Sequence, residues 1–512
     1  MAAIIEEKDR RVIPNWRSFG TTVLLGELNA HTKKNNDFPV LSLDSYIKDF
    51  KENQSVPYAA DLLSASLVNG LTDNNEVEKA AKFLLSHPKE ITEPQKEIAN
   101  KILFGPKTVQ NAIENITINQ LNDCISREDF IVKIRELKNH LISFPYNPIA
   151  WVELSRCYSI LGHEKKALQT MKYAVQLAPN NRFVIRCATR LFSHYGEIDI
   201  AQYVLRHCGI LKTDPWLLSA EVAVNTLKGK VSNLIKRGIE IIDSNNYNPF
   251  STTELAASIA TVHLLAGDRK KSRKMFSKSL ISPNDNSIAQ VEWVLNSKDK
   301  NLFDKNAINI DTQHSYEAMA INNFYNNKLI DALNNTCQWF CDMPFSKRPV
   351  IMGSCIADLL NNNKLAISFL QKGLMSNAND SQILNNIAYY YALDNNLSEA
   401  TKYIERIDNK LVGDIDSVCI TATKGLIQFR EKNFESGREL YLRAINSTTE
   451  SQNKELNYKA ILNYTREEIL ARSEYIETAM NLVNEMKDIK DMSVEIKKLH
   501  SEVVELYQKY RA

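Results

Sequence analysis

The chain has 512 residues, 44% of them apolar, and its 63 basic and 61 acidic side chains leave a net charge of +2. That balance disfavours a protein built mainly to grip phosphate backbones, which needs a strongly basic face. No stretch approaches the roughly 18 uninterrupted apolar residues of a membrane-spanning helix, and the charged Met1–Arg10 segment lacks an apolar h-region, so a soluble, cytoplasmic protein is expected.

Only 15 glycines and 14 prolines punctuate this length, which fits nearly continuous helix. The first exception is residues 11–41, where Val12, Ile13, Trp16 and Phe19 alternate with breakers such as Pro14 and Gly20. This predicts an extended arm or a short strand pair. Either Trp16 and Phe19 fold back to cover the first helical hairpin, because an open solenoid end needs a cap, or the arm docks a partner. Helical pattern starts near Leu41, giving an amino-terminal segment at 1–55 and degenerate helical units at 56–145, the last ending at Pro145.

From Asn147 the pattern sharpens. Trp151, Leu154 and Tyr158 put an apolar face on one helix, Gly162 ends it, Ala167, Met171 and Ala174 give a second helix a matching stripe, and Pro179 stops it. The unit is a helical hairpin of 34 residues, and the same step recurs. It links Trp151, Ala167 and Met171 to Ile185, Ala201 and Leu205. Further on it links Tyr316, Val350 and Leu384, and likewise Ala332, Ala366 and Ala400. Weaker units lie at Leu218–Ile241, Ala256–Pro283 and Gly425–Ala444, for about ten hairpins in all between 56 and 490.

This order of large apolar residue, Leu, Tyr, small residues and Pro resembles the tetratricopeptide repeat, with Ser155 standing where that family usually has Gly. The resemblance implies an all-α, right-handed α-solenoid of stacked hairpins, with an amino-terminal array at 146–300 and a carboxy-terminal array at 301–455. It also implies a concave groove lined by the first helices. Carried onto this sequence, the groove positions include Arg156, Arg186, Arg190 and His194, an electropositive set suited to an acidic or phosphorylated peptide. Farther along they are Phe324, Tyr325, Ile351, Met352, Asn385, Asn386 and Tyr389, which suit an apolar or amphipathic segment. Val152 and Arg156 stand where some members clamp chaperone tails with Lys and Asn, which argues against that ligand.

Residues 456–512 close the chain. Ile489, Met492, Ile496, Leu499, Val503, Leu506 and Tyr510 form a heptad seam, so this helix either caps the last repeat or pairs with another helix, a second copy included.

No His-Glu-x-x-His, Gly-x-Ser-x-Gly or phosphate-loop motif occurs, the nine histidines are scattered, and Glu467 and Glu468 are expected to face water. The eight cysteines form no disulfide framework, and Cys337 and Cys341, on one helical face, lack further ligands. No metal or cofactor is expected. The basic run Arg269, Lys270, Lys271, Arg273 and Lys274 reads as solvated outer surface, with no interleaved aromatics for nucleic acid. The expected function is a non-catalytic scaffold or adaptor holding a partner polypeptide in its groove. The alternative is a regulatory subunit that controls a partner enzyme in response to a ligand or peptide.

Overall fold

The computed structural model describes residues 13, 15–18, 43–69, 74–91, 93–104, 126–244, 246–299, 301–303, 312, 314–408, 412–451, 453–487, 489 and 492–512. Among these are 25 α-helices and no strand. They run α1 (Leu43–Glu52), α2 (Val56–Asn69), α3 (Asn75–Leu85), α4 (Glu93–Phe104), α5 (Arg127–Ser143), α6 (Pro148–Ile160), α7 (Glu164–Leu177), α8 (Arg182–His194), α9 (Ile198–Arg206), α10 (Pro215–Leu227), α11 (Ile235–Asp243), α12 (Pro249–Leu265) and α13 (Arg269–Ser279). The series continues with α14 (Asp285–Trp293), α15 (Tyr316–Tyr325), α16 (Leu329–Asp342), α17 (Lys347–Leu359), α18 (Asn363–Gly373), α19 (Ser381–Leu393), α20 (Leu397–Glu405), α21 (Asp414–Arg430), α22 (Phe434–Glu450), α23 (Lys454–Ala471), α24 (Ile476–Asn484) and α25 (Val494–Arg511). The fold is an all-α solenoid of stacked hairpins, in which each helix packs mainly on its sequence neighbours.

Local chemistry sets the period. Asn147, Asn181, Asp214 and Asn248 each cap a first helix by accepting a backbone N–H at its start, and three of those helices begin with Pro at the first position. A side-chain acceptor there satisfies a donor that the helix cannot, and Pro has no donor to lose. The turns within hairpins repeat as strictly. Gly162, Gly196, Gly229 and Gly267 have positive φ, and Asn327, Asn361 and Asn395 take the same conformation in later units. Asn is the side chain that tolerates it best after Gly. Lys432 holds the equivalent turn before α22 at φ 66° without that tolerance. Lys432→Gly is therefore expected to stabilise the chain by about 0.5 kcal/mol, read as a raised urea midpoint at unchanged m-value.

Close helix crossing explains the small residues. Ser155 Oγ on α6 donates to the Ala167 carbonyl on α7 at 2.8 Å, so this hydroxyl ties the two helices of one hairpin together. A Cβ on Gly353 would lie 2.6 Å from the Phe369 ring of α18. The hairpins wind tightly enough to meet again: Ser376 Oγ, after α18, donates to the Ile160 carbonyl of α6 at 2.8 Å, and Arg156 Nη2 donates to the Asp342 carbonyl at 3.0 Å.

The carboxy-terminal helix and the described arm residues both pack against the array. α25 lies on α23, with Ile496 and Val503 fully buried and Leu499 and Leu506 packed against the core, while Tyr510 stays exposed. Four residues of the heptad seam thus pack on the chain's own array. The described residues of the amino-terminal arm, Ile13 and Asn15–Ser18, form no strand and do not cover the first hairpin. They lie against α6, α14 and the turn after α16. The remainder of the 11–41 segment, and the first helix expected before Arg127, fall outside the described residues.

Candidate partner-binding groove

The concave face of the first strong repeats is occupied by the chain itself. Trp16 is 1% exposed and its ring sits 5.5 Å from that of Phe345, between α16 and α17. Beside it, Arg17 reaches two helices at once. Its Nη2 donates to Asp285 Oδ2 at 2.8 Å and its Nε to Asp342 Oδ2 at 2.7 Å. Asn15 Nδ2 also donates to Asp285 at 2.8 Å, and Ser18 Oγ donates to Glu153 Oε2 at 2.7 Å. Burial alone pushes the Asp285 carboxyl upward, and the Arg17 guanidinium outweighs that, holding it below the usual carboxylate range.

Three of the residues assigned to the groove converge here. Arg156 Nε donates to the Trp16 carbonyl at 3.4 Å, the Arg190 guanidinium lies 5.8 Å over the Phe345 ring, and the His194 ring meets Phe345 edge-on at 5.1 Å. Arg156 and Arg190 are 5% and 4% exposed, so neither offers an open fork to an outside anion. Arg186 is turned elsewhere. It makes a bidentate pair with Glu254 at 2.9 and 3.1 Å and stacks 5.0 Å over Trp216. Arg182, next on the same stripe, pairs with Asp214 at 2.6 Å. Two arginines of the expected electropositive face are thus charge-matched within the chain, Arg182 by Asp214 and Arg186 by Glu254.

The 34-residue period, the recurrent caps and this geometry agree with the sequence comparison, in which residues 149–181 match the tetratricopeptide repeat family. Residues 149–181 form a tetratricopeptide repeat. No curated protein sequence matches it significantly. Among solved structures it is similar to yeast Tom70, at 15% identity over 77% of this chain and 95% of that one, with a TM-score of 0.30. It is also similar to the Cut9–Hcn1 hetero-tetramer of the APC/C, at 10% identity over 94% of this chain and 99% of that one, with a TM-score of 0.36.

In the carboxy-terminal half of the solenoid, Ile351, Met352, Asn385 and Asn386 are all buried. Tyr389 donates from its hydroxyl to Asn463 Oδ1 of α23 at 3.0 Å. Phe324 is half-buried against the core and Tyr325, next to it, is 55% exposed, so of the downstream aromatic residues Tyr325 is the one presented to solvent. Glu467 and Glu468, expected in water, are buried instead. Glu467 accepts from Arg430 and Arg466, and Glu468 from Arg438 at 2.7 and 3.1 Å. The solenoid wraps α21, α22, α24 and α25 around α23, so a charged sequence there has no solvent face.

The basic helix α13 is largely exposed, with Arg269 paired to Asp299 and Lys271 to Asp268. Cys337 is buried and Cys341 half-buried, and burial pushes the Cys157 thiol up to about 12. Among the described residues no three His, Cys, Asp or Glu side chains are grouped to hold a metal ion, and no helix is long and apolar enough to cross a membrane. Sequence reasoning missed Arg17, Asp285, Asp342 and Phe345 as groove residues. Trp16 itself was legible as one of the apolar residues of the arm, expected to cover the first hairpin or to dock a partner.

Proposed function

We propose that this chain is a non-catalytic protein-interaction scaffold whose groove takes an extended polypeptide segment with an aromatic residue followed by a basic one. The observation that carries the reading is Trp16 buried against Phe345, whose ring also meets Arg190 and His194, with Arg156 on the Trp16 carbonyl and Arg17 clamped between Asp285 and Asp342. A groove that orders its own arm this way has the pocket and the carboxylates to order a partner's. The preference runs to an aromatic-basic segment over an acidic or phosphorylated one, since added negative charge would meet Asp285, Asp342 and Glu153. The arm then acts as a resident competitor. This gives the alternative, a regulatory subunit switched by a ligand or peptide, a physical device: displacement of Ile13–Ser18.

Truncation tests this. A chain lacking residues 1–20, titrated with a labelled peptide of residues 10–20, should bind it saturably and one to one by fluorescence anisotropy. A peptide carrying Trp16→Ala and Arg17→Ala should not bind. If the truncated chain keeps its helical circular dichroism and still ignores the native peptide, the groove reading is wrong.

A further inference from the structure

A second surface lies across α6 from the arm. Trp151, Leu154 and Tyr158 follow one another at spacings of three and four, while Arg156, which holds the Trp16 carbonyl, falls on the opposite side of the same helix. α5 and α7 both pack on α6, and between them they leave an open groove of about 1250 Å³ lined at its base by those three residues. The Trp151 ring meets Tyr173 of α7 edge-on at 4.7 Å, so the base and that wall form one apolar strip. On the other wall Ile131 and Ile142 of α5 are exposed, Ile142 to 81%. An apolar strip left in water and rimmed by charge marks an interaction surface.

The rim carries one sign of charge. Arg135 and Lys138 line the α5 wall and Lys166 and Lys172 the α7 wall; all four are exposed, and among the described residues no Asp or Glu lines the groove. Lys133, also on α5, is by contrast matched by Glu153 at 3.5 Å. Among the described residues no carboxylate pairs with any of the four rim cations, and Lys166 lies 5.7 Å over the Tyr158 ring.

We infer that this groove seats an amphipathic helix of a partner protein, with its apolar stripe on Trp151, Leu154 and Tyr158 and a row of Asp or Glu on each flank. The volume exceeds the ~300–1,000 Å³ of small-molecule sites. From Ile131 to Ile142 the α5 wall runs about 16 Å at 1.5 Å per residue, or about three helical turns. A helix satisfies its own backbone groups, whereas an extended segment gains its affinity from a strand edge, and the described residues contain no strand. Charge selects the sign, because an acidic helix is attracted by both walls and a basic one repelled by both. A nucleic-acid backbone would meet the cations and leave the apolar strip uncovered.

The test uses the full chain and labelled peptides of about 16 residues in fluorescence anisotropy. One peptide carries Leu at helical spacing with Glu on both flanks, the second has Lys for every Glu, and the third is poly-Glu. The Glu–Leu peptide should bind saturably at low salt, about tenfold or more tighter than either control. Lys138→Glu with Lys172→Glu should reverse the preference toward the Lys peptide, and Ile131→Ser with Ile142→Ser should weaken the Glu–Leu peptide about fivefold or more at unchanged circular dichroism. No binding of the Glu–Leu peptide overturns the proposal, as does equal binding of poly-Glu or an unchanged preference after charge reversal. Sedimentation velocity addresses the other occupant: a dimer that the two Ile→Ser changes dissolve would give the groove to a second copy and overturn the partner reading. Removing residues 1–20 should leave this binding unchanged, so failure here and failure of the arm reading are distinguishable.

Discussion

Glu467→Ala is expected to destabilise the chain by about 3–5 kcal/mol, the range for removing one partner of a buried ion pair. Glu467 is 2% exposed and accepts from Arg430 Nε at 2.7 Å, Arg430 Nη2 at 3.2 Å and Arg466 Nε at 2.9 Å. Its loss leaves two guanidinium groups, with side chains 19% and 9% exposed, facing each other without a counter-charge. The cost is therefore repulsion as well as desolvation. Urea unfolding followed by circular dichroism measures it. The neighbouring exposed pair Arg443–Glu439 on α22, at 62% and 74% exposure, provides the contrast: Glu439→Ala should leave the midpoint unchanged, because water screens that pair. Equal midpoints for the two variants would mean that the buried network contributes nothing.

The same helix shows where sequence stops being informative. The repeat was legible because its causes are local: caps at Asn147, Asn181, Asp214 and Asn248, left-handed turn residues, and apolar stripes at helical spacing. Each depends on residues within one or two turns of one another. Whether Glu467 meets water depends instead on how many helices surround α23, which follows from the sum of small rotations between hairpins and from the inward fold of α25. Charged spacing alone gave the solvated reading.

The groove divides along the same line. Arg156, Arg190 and His194 were readable as first-helix positions, and they do lie on α6 and α8. What they face was not readable. Arg17 finds Asp285 and Asp342 across 268 and 325 residues of sequence, and no periodicity connects them. Once that distance closes, the electrostatic sense of the groove changes, since acidic side chains meet the arm on one side while arginines hold its backbone and Phe345 on the other.

The second large expected effect is release of the arm by Arg17→Glu. The substitution places a carboxylate against Asp285 and Asp342, where the native guanidinium now donates at 2.8 and 2.7 Å, and it also removes the hydrogen bond to the His314 carbonyl. Loss of the attraction and gain of the repulsion together should displace Trp16 from Phe345, exposing a ring now 1% accessible. Hydrogen exchange should then rise at Trp16–Ser18 and along α6 while α19–α23 stay protected, and the melting temperature should fall. The pH dependence carries the sign. In the native chain Asp285 is held below its ordinary 3.8, so its contribution is complete above that value and is lost only as pH falls through the lower folded-state one. In the variant three clustered carboxyls raise one another, so acidification from pH 7 toward about 5 should neutralise one and draw the arm partly back. Acid thus loosens the native arm and tightens the variant's. A variant arm that stays protected at pH 7, or responds to acid in the native direction, would show that Trp16 packing alone holds the arm and that Asp285 and Asp342 do not select its basic residue.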